Sequence, residues 1–118
     1  MWWTIKSKSV KVFDFTTVVE YLEDKYKNST LNKMYLIMFL KNFRYRFFND
    51  YLAFYVLPTT AKEWSLMSTP EQDMIAKLQE IADIGWGEPI MFNVDSIMTA
   101  NEFIDGMIAG ITNDIKKK

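Results

Sequence analysis

Residues 35–58 read YLIMFLKNFRYRFFNDYLAFYVLP, nine aromatics in 24 positions with two arginines at the centre. Three readings compete for this stretch: a membrane span, a nucleic-acid platform, and the core of a small domain. A spanning helix needs about 20 consecutive residues with few charges. Here the uninterrupted apolar run is Met34 to Leu40, followed by Lys41, Asn42, Arg44, Arg46, Asn49 and Asp50. Each charge near a bilayer centre costs roughly 2.5–3.5 kcal/mol, so no membrane span is expected.

At 100° per residue, Leu36, Leu40, Phe43, Phe47, Tyr51, Phe54 and Tyr55 share a broad face. Asn42, Arg46, Asn49 and Asp50 fall opposite, the pattern of an amphipathic core helix. Arg44 lands among the aromatics, and Phe43, Tyr45 and Phe47 alternate with Arg44 and Arg46 at the strand period. The reading favoured is one long helix, or two joined near Asn42–Arg46, ended by Pro58. Aromatics beside arginines can also stack bases while the cations hold phosphates. Helical spacing of aromatics is more often core, which makes the nucleic-acid reading the alternative.

Outward from this stretch, three helix starts share a signature. Thr17-Val18-Val19-Glu20 fits a capping box opening a helix through Lys27, with Val18, Leu22 and Tyr26 inward. Thr69-Pro70-Glu71-Gln72 places Pro70 at the first helical position, where its missing N–H costs nothing. Met74, Ile75, Leu78, Ile81 and Ala82 form that helix's stripe, and Gly85 is a natural stop. Thr99-Ala100-Asn101-Glu102 opens the last helix, with Ile104, Met107, Ile108, Ile111 and Ile115 inward. Its Gly106 and Gly110 each cost roughly 1 kcal/mol relative to alanine, or mark a smooth surface for a closely approaching backbone.

Val10–Phe15 and Ile90–Val94 read as strands, the second after the turn-like Gly85-Trp86-Gly87-Glu88-Pro89. Residues 2–6 are a candidate third strand. The expected fold is an α-rich α+β domain. About four helices pack with a short two- or three-stranded sheet, and all 118 residues form one domain.

Composition narrows the chemistry. The chain has no cysteine and no histidine. Thiol nucleophiles, disulfides, thiolate metal sites and the commonest general base and zinc ligand are therefore all missing. The four glycines, at 85, 87, 106 and 110, form no phosphate loop. The carboxylate pairs Glu71/Asp73, Glu80/Asp83 and Glu102/Asp105 have no basic or hydroxyl side chain beside them in sequence. No catalytic residue, cofactor or metal site is expected. MWWTIKSKSVKVF has no apolar h-region, so no secretory signal is expected, and the chain reads as cytoplasmic.

Charge is the informative feature. Residues 1–62 hold ten Lys or Arg against five Asp or Glu, whereas residues 63–115 hold one against ten. Such asymmetry points to an interaction role. Glu71, Asp73, Glu80 and Asp83 lie along one helix, Glu102 and Asp105 on the next, and Glu88 and Asp95 in the loops before it. With Trp86 as an anchor in its loop, these residues are the candidate surface for a partner protein with a basic face. The expected role is a non-enzymatic antagonist, such as a toxin-neutralising immunity protein or a phage-encoded inhibitor of a host enzyme. The alternatives are a nucleic-acid module using Lys6, Lys8, Lys11, Arg44 and Arg46, and a subunit of a larger assembly.

Overall fold

The structure, a computed structural model, describes residues 10–94 and 97–117. The order is β1 (Lys11–Asp14), α1 (Phe15–Tyr26), α2 (Thr30–Phe43), a 3₁₀ turn (Arg44–Arg46) and β2 (Leu52–Val56), followed by α3 (Ala61–Ser65), α4 (Thr69–Ile81), β3 (Pro89–Asn93) and α5 (Ala100–Lys116). This is the α-rich α+β fold expected, with a mixed three-stranded sheet in the order β1-β3-β2. β3 is central: it pairs parallel with β1 (Val12 beside Met91) and antiparallel with β2 (Phe54 beside Met91). The candidate strand at residues 2–6 lies outside the described residues.

The second half of the opening stretch is not helical. α2 ends at Phe43, one 3₁₀ turn follows, and Asn49-Asp50 turns the chain into β2. The Asn49 side-chain oxygen accepts from the N–H of Leu52 at 2.8 Å, and Asp50 takes a left-handed φ of 68°. These are turn chemistry, which tolerates αL at Asp and lets Asn close on its own backbone. Beyond it the period is two: Ala53, Tyr55 and Leu57 are buried, while Phe54 and Val56 face out. Tyr51 and Phe54 therefore do not join the core face that a helix would have given them. Of the nine aromatics, Phe39, Phe43, Phe47 and Tyr55 are buried.

α1 starts three residues earlier than its sequence signal. Asp14, not Thr17, is the N-cap, accepting from the Thr16 N–H at 3.0 Å. A carboxylate there can satisfy an orphan donor as well as a hydroxyl can. The shift places Phe15 inside the helix and at the centre of the core. α4 is capped by Ser68 rather than Thr69, and its Ile81 points to solvent. α3 was not anticipated, although Thr60 and Glu63 form a complete capping box around it. The box at Thr99 and Glu102 stands as read, and α5 buries Phe103, Ile104 and Ile111.

The core is aromatic. Phe15 is fully buried and meets Phe43 at 4.8 Å, Phe47 at 5.2 Å and Phe92 at 5.6 Å between ring centroids. Phe43 stacks on Tyr55 and stands edge-on to Phe92, so α1 and α2 cover the inner face of the sheet. Offset and edge-to-face pairs of this kind add about 0.5–1.5 kcal/mol each beyond the area they bury. The opposite face carries Val12, Phe54 and Val56, all exposed. Neither α5 glycine has a close neighbour within the described residues: a Cβ added at either would meet nothing within 4 Å.

Candidate functional site

Trp86 sits at the tip of a tight turn. The Gly85 N–H donates to the Glu88 carboxylate, and the Glu88 N–H returns to the Gly85 carbonyl at 3.2 Å. Gly87 takes φ +79°, the left-handed region that suits glycine. Its N–H donates to the Pro58 carbonyl at 3.1 Å, and Leu57 donates to the Glu88 carbonyl at 3.1 Å. These bonds fasten the turn to the end of β2, leaving the Trp86 side 55% exposed.

The second wall comes from α3. Glu63 accepts from the Thr59 N–H at 2.7 Å, the Thr59 hydroxyl at 2.8 Å and the Thr60 N–H at 3.3 Å. Those bonds, the Thr59 backbone N–H first, hold the Glu63 carboxyl below its usual pKa and so keep it ionised. Gln72 of α4 donates to the Trp64 carbonyl at 2.8 Å and locks α3 against α4. Trp64 then meets Trp86 edge-to-face, centroids 5.4 Å apart at 77°. The two rings bound a hollow of about 480 Å³, completed by Thr59, Thr60, Ala76 and Gln79. Among the described residues, no charged side chain lines it. Glu63, Glu80, Asp83 and Glu88, all exposed, are near in sequence to its lining residues. Of the two cations close by in sequence, Lys77 lies over the Tyr21 ring at 5.1 Å and reaches Glu80 at 3.3 Å; Lys62 is exposed.

The other candidate acids are placed differently. Glu71 accepts from the hydroxyls of Tyr55 and Ser68, each at 3.1 Å. Asp73 accepts from the Tyr26 hydroxyl at 2.5 Å and pairs with Lys25 at 3.3 Å. Both phenols are held well above their usual pKa, by burial first and then by the carboxylate each one faces. Glu102 closes the α5 capping box, and Asp105 pairs with Arg44 at 2.5 Å. Asp95 lies outside the described residues. α4 and α5 both pack on α2 rather than side by side. Of the candidate acids among the described residues, the exposed ones tied neither to a cap or turn nor to a partner on another element are Glu80, which pairs with Lys77 within α4, and Asp83.

On the basic side, Arg44 is committed to Asp105, and the Arg46 guanidinium lies over Tyr55 at 5.1 Å and Phe43 at 5.6 Å. Lys11 is exposed at the start of β1; Lys6 and Lys8 lie outside the described residues. Tyr45 and Phe48, 84% and 68% exposed, flank this segment. A second hollow, of about 550 Å³, runs between α2 and the start of α4, with Tyr35, Met38, Phe43, Arg46, Met67 and Glu71 on its walls.

Trp86 is legible in the sequence as a loop anchor; Trp64 is not. The Thr60-x-x-Glu63 spacing marks the capped turn that carries Trp64, but its meeting with Trp86 is a tertiary event. Among the described residues, no group of three or more Asp or Glu could hold a metal ion, and no helix is long and apolar enough to cross a membrane. No protein-family model matches the chain, and neither a curated protein nor a solved structure does.

Proposed function

We propose that this chain is a non-enzymatic, cytoplasmic protein-binding antagonist that docks a basic partner protein through its C-terminal half. An immunity protein facing a toxin, or a phage-encoded inhibitor facing a host enzyme, are the two forms of that role. The observation that carries the reading is the fixed Trp64–Trp86 corner in the half of the chain where acids outnumber bases. Large rigid aromatics anchor interfaces at low entropic cost, and surrounding like charges steer an oppositely charged partner and reject others. The internal roles of Glu71, Asp73, Glu88, Glu102 and Asp105 move the emphasis to Glu80 and Asp83.

The test is a surface-binding measurement on partners captured from the source cell. Glu80→Lys with Asp83→Lys should slow association about tenfold at low ionic strength, with the gap shrinking as salt is raised. Both positions are exposed, so the fold should survive. Unchanged association would reject the surface. A second reading has its own support in Tyr45 and Phe48, which stand open beside Arg44 and Arg46. Tight, salt-steep binding of mixed oligonucleotides, lost in the Tyr45→Ala, Phe48→Ala double variant, would establish that reading instead.

A further inference from the structure

We infer that the Trp64–Trp86 corner is an arginine-receiving site, seating the guanidinium of one side chain of the partner protein; this rests on the protein-binding reading above. Three features of the hollow select that chemistry.

First, its walls offer two indoles and, among the described residues, no countercharge. Two indoles meet near a right angle, and the remaining lining is Thr, Ala and Gln. A cation is drawn to the face of a ring by the ring's quadrupole, with tryptophan the strongest of the aromatic partners. Second, the lining is uncharged, while the segments that carry it, 59–64 and 76–88, hold four carboxylates against two lysines, Lys62 and Lys77. Glu63, Glu80, Asp83 and Glu88 all belong to segments that build the corner, and each is exposed. A planar cation could lie flat on an indole while its edge N–H groups point outward to these carboxylates and to the Thr59 and Thr60 hydroxyls. Arginine has that shape: it is flat and weakly hydrated, with five donors in its plane. A lysine ammonium is compact and strongly hydrated, and would lose water on entry without finding an acceptor on the ring walls. A neutral aromatic or aliphatic side chain would fill the hollow but make no use of the excess of acids in the segments that build it. Third, the corner is preformed. The turn at 85–88, the Glu63 bonds to Thr59 and Thr60, and the Gln72–Trp64 bond hold both walls from different elements. A site that need not be ordered on binding keeps more of its contact energy.

The experiment uses the whole chain and three short peptides, acetylated and amidated, that differ at one residue: arginine, lysine, or citrulline. Citrulline keeps the shape of arginine and removes its charge. Indole N–H resonances of Trp64 and Trp86 are followed by NMR titration. The arginine peptide should shift both and bind about two- to fivefold more tightly than the citrulline peptide, the scale expected of an exposed cation–π contact. The lysine peptide should bind more weakly than arginine. Trp86→Leu, which keeps apolar bulk without a π-face, should reduce arginine binding to the citrulline level. Should the substituted turn loosen, Glu80→Gln with Asp83→Gln provides a second arm, in which the arginine preference falls and the citrulline affinity stays. Equal binding of arginine and citrulline would overturn the proposal and leave the hollow merely apolar. Preferential binding of lysine would also overturn it. Failure here is separable from failure of the protein-binding role, because the peptides need no partner. An arginine preference alongside unaltered partner capture by Glu80→Lys, Asp83→Lys would uphold this site and reject the wider surface.

Discussion

Phe15 is where the fold can be tested most severely. Its ring is fully buried and lies within 6.3 Å of five others, those of Phe39, Phe43, Phe47, Phe92 and Phe103. Those five belong to α2, the loop after it, β3 and α5, so one side chain of α1 ties α2 and α5 to the central strand. Phe-to-Ala changes in cores cost about 3–5 kcal/mol, from lost transfer energy plus the cavity left behind. With so many rigid rings around it, the site can collapse little, and the upper part of that range, about 4–5 kcal/mol, is expected for Phe15→Ala. Total stabilities are only about 5–15 kcal/mol, so the variant should be close to unfolding at 37 °C. For a chain of 118 residues the melting temperature should drop by roughly 15 °C. Urea denaturation followed by far-UV circular dichroism measures the loss, with Phe48→Ala as the control. Phe48 is 68% exposed, and its removal should cost under about 0.5 kcal/mol. A cost for Phe15→Ala below about 2 kcal/mol, or equal to that of Phe48→Ala, would show that the ring cluster is not the centre of the core.

Three further outcomes follow from particular contacts. Asp14→Ala should cost about 1 kcal/mol by removing the α1 cap, whereas Thr17→Ala should change stability by under about 0.5 kcal/mol; the reverse order in urea would restore Thr17 as the cap. Gly106→Ala and Gly110→Ala should each add about 0.5–1 kcal/mol, since both lie in a helix with open space beside them. Gly87→Ala should instead destabilise by about 1–3 kcal/mol, because its φ is +79° and the new Cβ would meet Thr59 at 2.8 Å. Melting curves rank the three. Stability should also fall in alkali. The Tyr26 and Tyr55 phenols have pKa values raised above 10.0, so the folded chain keeps protons that the unfolded chain gives up. Their contribution is complete below about pH 10 and declines above it by about 1.4 kcal/mol per pH unit for each phenol. The Tyr26→Phe, Tyr55→Phe variant should show a shallower decline between pH 10 and 11, and an identical decline would remove both phenols from the account.

What could be read in the chain depended on how local the deciding contact was. α5 and β3 follow from their own residues: a capping box, a stripe of isoleucines, a short apolar run after a turn. Residues 44–58 were ambiguous for a physical reason. Aromatics at 43, 47, 51, 54 and 55 satisfy a helical face, while Ala53, Tyr55 and Leu57 satisfy a strand. The Asn49-Asp50 pair, a turn signal, decides between them once it is given more weight than its place on a polar face. α1 hid its start because Asp14 competes with Thr17 as a cap, and either choice leaves the same stripe inward. The acidic surface was legible as composition but not as geometry. Asp73 meets Tyr26 across 47 residues and Arg44 meets Asp105 across 61, and no pattern of spacing shows such partners. Trp86 could be singled out by its turn; its companion Trp64 could be found only when the chain was folded.

The placement of β3 between β1 and β2 has a consequence for synthesis. Among the described residues, Lys11 finds its sheet partner only in Ile90, and β2 waits for the same strand. On a ribosome, α1, α2 and β2 would emerge with Phe15, Phe43 and Tyr55 already made but with Phe92, their shared wall, still untranslated. Pairings that span most of a chain are slow to form, and apolar surface left waiting for them invites aggregation. A growing chain of this protein should therefore lean on chaperones until its last quarter appears, and a truncation before residue 89 should not fold at all.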